Sequence, residues 1–201
     1  MTPNGAKPAQ PLYTQDEIER VKAHVLSRED DLAARDYLLL VLGMNSFLRG
    51  CDLVRLKVGD IVNKEDVRIT TSKTGKVAEF YVNDAIRSAF SRYMAAYPWA
   101  KEEGYLFFST FGGGMPRPQH HLTAPAIGRR IRTWCRAVGL TGSFGSHTPR
   151  KTGATQWYRA GQSIEVIQAK LTHSSQSTAA TRAYLGITRS SIREKEAAIN
   201  L

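Results

Sequence analysis

Residues 32–82 read LAARDYLLLVLGMNSFLRGCDLVRLKVGDIVNKEDVRITTSKTGKVAEFYV, and within this stretch the chain changes its periodicity. From Leu32 to Asn45 Leu and Val are dense enough to predict a buried helix at the centre of the core. A short helical turn carrying Arg49, Asp52, Leu53 and Leu56 follows it. Val58–Val62, Val67–Thr71 and Val77–Val82 are then short β-branched runs bounded by Gly, Asn and Lys-Thr-Gly, which predicts strands. Ser72-Lys73-Thr74-Gly75 has the turn chemistry of a hairpin tip. The expected fold class is mainly α with a small three-stranded antiparallel β-sheet.

Working outward, residues 1–11 are polar and Pro-rich and read as a flexible tail, with one domain over residues 12–201. Thr14 and Glu17 form a capping box that opens a helix with Ile18, Val21 and Val25 on one face. Beyond the strands, a helix from Asp84 carries Ile86, Phe90, Tyr93 and Tyr97 in a stripe and stops at Pro98. Phe111 to Pro118 is Gly- and Pro-rich and reads as a loop; its glycines lack the Gly-Lys-Ser/Thr of a phosphate-binding loop. Helices follow at about Thr123–Val138, Thr148–Ala160, Ser163–Leu171 and Ser177–Tyr184, with a terminal helix over about 190–201. Gly161 and Gly186 supply stops.

Lys plus Arg number 28 against 18 Asp plus Glu, a net charge of +10 over 201 residues, which favours a polyanionic partner, nucleic acid before a membrane surface. The longest apolar stretch, Tyr37 to Met44, is far short of the roughly 20 residues of a membrane span. The N-terminus has no apolar export segment, and the two cysteines show no C-x-x-C spacing. A reducing cytoplasm is the expected setting, with neither a disulfide framework nor a Cys-based zinc site. In the 123–138 helix Ile127, Ile131, Trp134 and Val138 share one side, while Arg129, Arg132 and Arg136 share the other with Arg130 on the flank. The three arginines lack acidic partners at helical spacing, so they are either a solvated face or contacts to a phosphate backbone.

Four separated places carry side chains suited to phosphodiester chemistry: Arg49 with Asp52 placed to pin its guanidinium, Lys73 at the hairpin tip, His147-Thr148-Pro149-Arg150 at a helix start, and His173 with Tyr184 beyond it. Attack on a phosphodiester builds negative charge on phosphorus, which two arginine forks can grip in place of a metal. The leaving oxygen needs a proton, which a lysine can deliver, and rejoining without ATP needs a covalent link, which a tyrosine can form. Lys76 competes with Lys73, and Tyr158 with Tyr184. His120-His121 reads as an exposed loop pair before it reads as metal ligands.

In this order and context these residues resemble the catalytic domain of the tyrosine recombinases, or phage-type integrases. Ser-Phe-Leu-Arg-Gly-Cys-Asp-Leu around Arg49 is similar to that family's Thr-Gly-x-Arg-x-x-Glu-Leu, and Leu171-Thr172-His173-Ser174-Ser175 to its Leu-Gly-His-Ser-Ser. The likeness covers residues 12 to about 188. It implies that Arg49 and Arg150 hold the scissile phosphate, that His147 and His173 hydrogen-bond it and assist proton transfer, that Lys73 is the general acid, and that Tyr184 forms a 3′-phosphotyrosine. It also implies double-stranded DNA as partner, self-association as a tetramer on paired sites, accessory DNA-bending proteins, a nucleoid-associated location, and neither metal nor nucleotide cofactor. An idle DNA-binding module on the same fold and a type IB topoisomerase-like enzyme are the alternatives. Three features depart from the family pattern. The expected organisation has no separate N-terminal DNA-clamping domain before residue 12, as in a compact single-domain member or an isolated portion of a longer one. His173 and Tyr184 are 11 positions apart, longer than usual, for which an extra half-turn in Ser175–Ala180 is expected. Pro149 stands where Leu is usual, suited to the first turn of a helix.

Overall fold

The Thr14 hydroxyl accepts from the backbone N–H of Glu17, and the Glu17 carboxylate accepts in return from Thr14 N–H, so the capping box closes as expected. The helix it opens, α1, spans Gln15–Leu26 and buries Ile18, Val21 and Val25. The computed structural model describes residues 8–173, 176–187 and Arg193; the expected helix over 190–201 therefore lies outside the described residues, Arg193 apart.

In chain order, α1 is followed by α2 (Ala33–Asn45), α3 (Gly50–Leu53), β1 (Asp66–Thr70), β2 (Val77–Tyr81), α4 (Asp84–Ala96), β3 (Phe108–Thr110), β4 (Pro116–His121), α5 (Ala124–Ala137), α6 (Thr148–Arg159), α7 (Ile164–Lys170) and α8 (Ala179–Tyr184). Helix α2 is the central element, with Leu38 to Leu42 buried and α1, α4 and α6 packed around it. It also buries Arg35 and Asp36, which hydrophobic patterning does not reveal. The Arg35 guanidinium donates to Phe108 O at 2.7 Å and pairs with Asp36 at 2.7 Å, while Arg28 closes the other side of Asp36 at 2.8 Å. Such groups are tolerated inside only when paired in this way.

Helices α2 and α6 cross backbone to backbone. A Cβ on Gly153 would lie 1.9 Å from Met44 O, and one on Gly43 would lie 2.7 Å from Pro149 Cβ. Only glycine permits this approach. Pro149 sits in the first turn of α6, as expected, and its ring fills the space that Gly43 leaves. A second small cluster of Phe47, Ala154, Ile167 and Leu171 binds α6 to α7, with Tyr184 and Leu185 packed on it.

The expected single three-stranded sheet is instead two antiparallel two-stranded sheets, β1–β2 and β3–β4. Val58–Val62 is not a strand. Its buried residues Val58 and Ile61 are three apart, and Val58–Asp60 forms a 3-10 turn whose Asp60 carboxylate accepts from Lys57 N–H at 2.8 Å. The second sheet arises partly from the segment read as a loop. Pro116 and Pro118 are tolerated in β4 because it pairs on one side only. His120 and His121 lie in this strand rather than in a loop and project to opposite faces, so the two cannot chelate one ion together.

Residues 8–11, expected as part of a flexible tail, are instead held against the α5–α6 connection. Gln10 N–H donates to Ser143 O at 2.7 Å, Gln10 O accepts from the Thr148 hydroxyl at 2.9 Å, and Pro11 is buried. Helix α8 starts at Ala179, two residues later than expected. Of the half-turn anticipated over Ser175–Ala180, Ser175 lies outside the described residues and 176–178 are not helical. Both cysteines are free. No described helix is long and apolar enough to cross a membrane.

Candidate active site

Arg150 organises the site. Its side chain is buried in the first turn of α6, with Nη1 donating to Phe47 O at 2.5 Å and Nη2 to Leu171 O at 2.7 Å. One guanidinium thus ties together the segment before Arg49, the helix carrying His147, and the segment before His173. Both tied segments reverse direction through left-handed residues, Phe47 at φ 56° and Thr172 at φ 52°. Thr172 is β-branched and occupies the place of Gly in the related motif; such conformations cost about 1–3 kcal/mol and persist only where surrounding contacts impose them.

Arg49 stands at the N-cap of α3 in an extended conformation. Its Nη1 is buried and has no hydrogen-bond partner among the described residues. The expected pairing with Asp52 is not formed. Asp52 Oδ1 accepts from Ser72 N–H at 2.7 Å and from the Ser72 hydroxyl at 2.6 Å. The reason is geometric: Asp52 lies inside the α3 turn and faces the β1–β2 hairpin, which puts its carboxylate on the residue before Lys73. Lys73 itself is exposed at the hairpin tip, where Gly75 supplies φ +64°. Asp52 is therefore the latch that sets where Lys73 stands. Asp52→Ala should free the hairpin tip, which hydrogen exchange at the Ser72 and Lys73 amides would register as a loss of protection of about 10-fold or more.

His147 is the exposed N-cap of α6 and makes no side-chain capping bond. Its pKa is lowered by desolvation and then by Arg150, Lys151, Arg49 and Lys73. His173 falls to about 4, by desolvation and then by Arg150, Arg49 and Lys76. Both imidazoles are neutral at neutral pH as a result. His173 Nδ1 lies 3.0 Å from the Thr181 hydroxyl, which leaves Nε2 for a further partner. Its ring meets the Tyr184 ring edge-on, with centroids 5.5 Å apart.

The Tyr184 ring is half-buried, and its hydroxyl is buried without a hydrogen-bond partner among the described residues. Burial pushes its pKa up to about 12, against the opposing pull of Arg150 and Arg49. Lys151 Nζ lies 5.0 Å from the ring centroid, a neighbour without a motif of its own although it follows Arg150 directly. Arg49, His147, Arg150, His173 and Tyr184 thus face one basin, and Lys73 is close enough to bear on His147. Lys76, the competitor of Lys73, bears on His173. Tyr158, the competitor of Tyr184, packs on the same small cluster of Phe47, Ala154, Ile167 and Leu171. Thr181 and Ser72, which orient His173 and the hairpin, carry no local signal that would single them out in sequence.

Arg129, Arg132 and Arg136 are exposed along α5, as their spacing predicts. They line a cleft of about 1200 Å³ whose walls also include Ser146 and His147. Among the described residues no group of three His, Cys, Asp or Glu side chains is arranged to hold a metal ion.

A mainly helical domain with two small hairpins, and a cation-lined basin around one tyrosine, defines the catalytic-domain class of the tyrosine recombinases. The chain belongs to the phage integrase family, whose model matches residues 12–189. It is 32% identical over 184 residues to a probable integrase/recombinase, YoeC, of Bacillus subtilis, covering 92% of this chain and 93% of that one. It is 29% identical over 188 residues to the tyrosine recombinase XerC of Caldanaerobacter subterraneus, covering 92% of this chain and 50% of the relative. In structure it is similar to the XerA recombinase, with a TM-score of 0.71 at 24% identity, over 96% of this chain and 66% of that one. Lambda integrase bound to DNA gives 0.66 at 19% identity, over 90% and 62%. The chain therefore spans about half the length of the XerC relative and about two thirds of the XerA structure.

Proposed function

We propose that this protein is a site-specific DNA recombinase that breaks and rejoins strands through a 3′-phosphotyrosine at Tyr184, without metal or ATP. The observation that carries this reading is the pairing of two buried polar groups beside Arg150. Arg49 Nη1 is a donor without an acceptor, and the Tyr184 hydroxyl is buried beside the Arg150 guanidinium without a hydrogen bond of good geometry. A buried donor left unpaired costs about 1–3 kcal/mol, and a phosphate oxygen between Arg49 and Arg150 would satisfy it.

In this reading Arg49 and Arg150 grip the non-bridging oxygens. His147 and the Nε2 of His173 hydrogen-bond the same phosphate and assist proton transfer. Tyr184 gives its phenol proton to a neutral imidazole of the site and attacks phosphorus, the bond to the 5′-oxygen breaks, and Lys73 protonates that oxygen. Arg129, Arg132 and Arg136 hold the flanking duplex by its phosphates. The DNA-bound relatives of the same fold support a nucleic-acid partner.

The test is incubation with a nicked duplex whose cleaved end diffuses away. The wild-type protein should accumulate a covalent adduct that mass spectrometry places on Tyr184. Tyr184→Phe should form none, while its affinity for the duplex stays within about 2-fold, since only a hydroxyl is lost. Salt-dependent binding with no adduct from the wild-type protein on any duplex would make the chain an idle DNA-binding module instead.

A further inference from the structure

Lys151 stands one turn beyond His147 on α6, its N–H donating to His147 O at 2.9 Å. Its side chain is half-buried, and no carboxylate among the described residues lies within ion-pair distance of it. Desolvation alone lowers its pKa. A cation drawn from water without a counter-charge is unfavourable, so its surroundings must offer something in return. They offer the face of Tyr184, whose ring centroid is 5.0 Å from Nζ. The negative face of an aromatic ring attracts a cation at this separation, and more strongly when the pair is partly desolvated.

We propose that Lys151 is a positioning residue for the nucleophile, its ammonium holding the Tyr184 ring in the basin and stabilising the phenolate. This rests on the reading of Tyr184 as nucleophile and adds a residue outside the six that the sequence singled out. The groups that face Tyr184 are Arg150 and Lys151 from α6, Arg49 from the turn before α3, and His173 from the α7–α8 connection. Of these, the two arginines bind the scissile phosphate in the proposed complex, and His173 is neutral. Lys151 is then the cation left over on the ring itself, 5.0 Å from its centroid.

The test compares wild type, Lys151→Met, Lys151→Arg and Tyr184→Phe, full chain, in single-turnover adduct formation on a nicked duplex from about pH 6 to about pH 9. At saturating DNA, Lys151→Met should form adduct about 10-fold to 30-fold more slowly, with duplex affinity within about 2-fold of wild type. The limb of its rate profile that rises with pH should move up by about one unit. Lys151→Arg should recover most of the rate and the original profile. Three outcomes would overturn the role. One is a normal rate for Lys151→Met at saturating DNA with weakened affinity, which would make Lys151 a plain phosphate contact. The second is a slower rate whose pH profile overlays the wild-type curve. The third is an adduct that survives in Tyr184→Phe, which removes the nucleophile assignment itself; the first two leave that assignment standing.

Discussion

Arg150→Lys should yield a protein that forms adduct at least about 10³-fold more slowly, the scale of losing a preorganised donor at a developing charge, and that also melts earlier. The two effects have one cause. The Arg150 fork is buried and gives one nitrogen to Phe47 O and another to Leu171 O. A lysine ammonium cannot reproduce that planar fork and cannot hold both carbonyls while facing a phosphate. One buried acceptor is then left unpaired at about 1–3 kcal/mol, which for a chain of this size lowers Tm by about 2–4 °C per kcal/mol. Because those carbonyls belong to the two left-handed turns, Arg49 and His173 should lose their placement as well. Single-turnover adduct formation and a thermal melt check both halves. A rate within 10-fold of wild type would show that the fork is structural only.

Gly153→Ala should produce the largest loss of stability of any single methyl group in the molecule. The added Cβ would sit 1.9 Å from Met44 O and 2.6 Å from Phe47 Cε1. Neither can move without shifting α2 or the turn that positions Arg49. Overpacking of this kind costs about 1–3 kcal/mol when side chains can yield, and here the obstacle is backbone, so about 3 kcal/mol or more is expected, a fall in Tm on the order of 10 °C. The control is Gly112→Ala, where a Cβ meets nothing within 4 Å and the change should be within about 0.5 kcal/mol. Denaturant titration of both variants decides it, and equal midpoints would mean that the α2–α6 crossing is looser than described.

Five of the six candidate side chains stand in a local context with its own signature: a helix start for His147 and Arg150, a hairpin tip for Lys73, the short motifs around Arg49 and His173. Helix starts at Thr14 and Ser163 were similarly readable, since a cap is satisfied within three residues of itself. What escaped were interactions between distant segments. Asp52 looked like a partner for Arg49, three positions away, and instead bonds Ser72, twenty positions away. Arg35 and Asp36, which hydrophobic patterning does not reveal, are paired inside the core. Val58–Val62 had strand-forming residues, yet Asp60 and the backbone of Glu102 and Gly104 make it a turn. β-Propensity is weak evidence where tertiary partners decide.

By itself the sequence determined most of the described helices, the basic arginine stripe of α5, and a set of side chains able to grip phosphate, donate a proton and attack. These depend on neighbours a few residues apart, which the order of residues specifies directly. Only the tertiary structure decided that these side chains share one basin, that Asp52 latches the hairpin, that Tyr184 rests as a protonated, buried phenol, and that Lys151 covers its face. Those properties depend on removal of water and on charges brought near by segments far apart along the chain, and the electrostatics of a site exist only once its walls do.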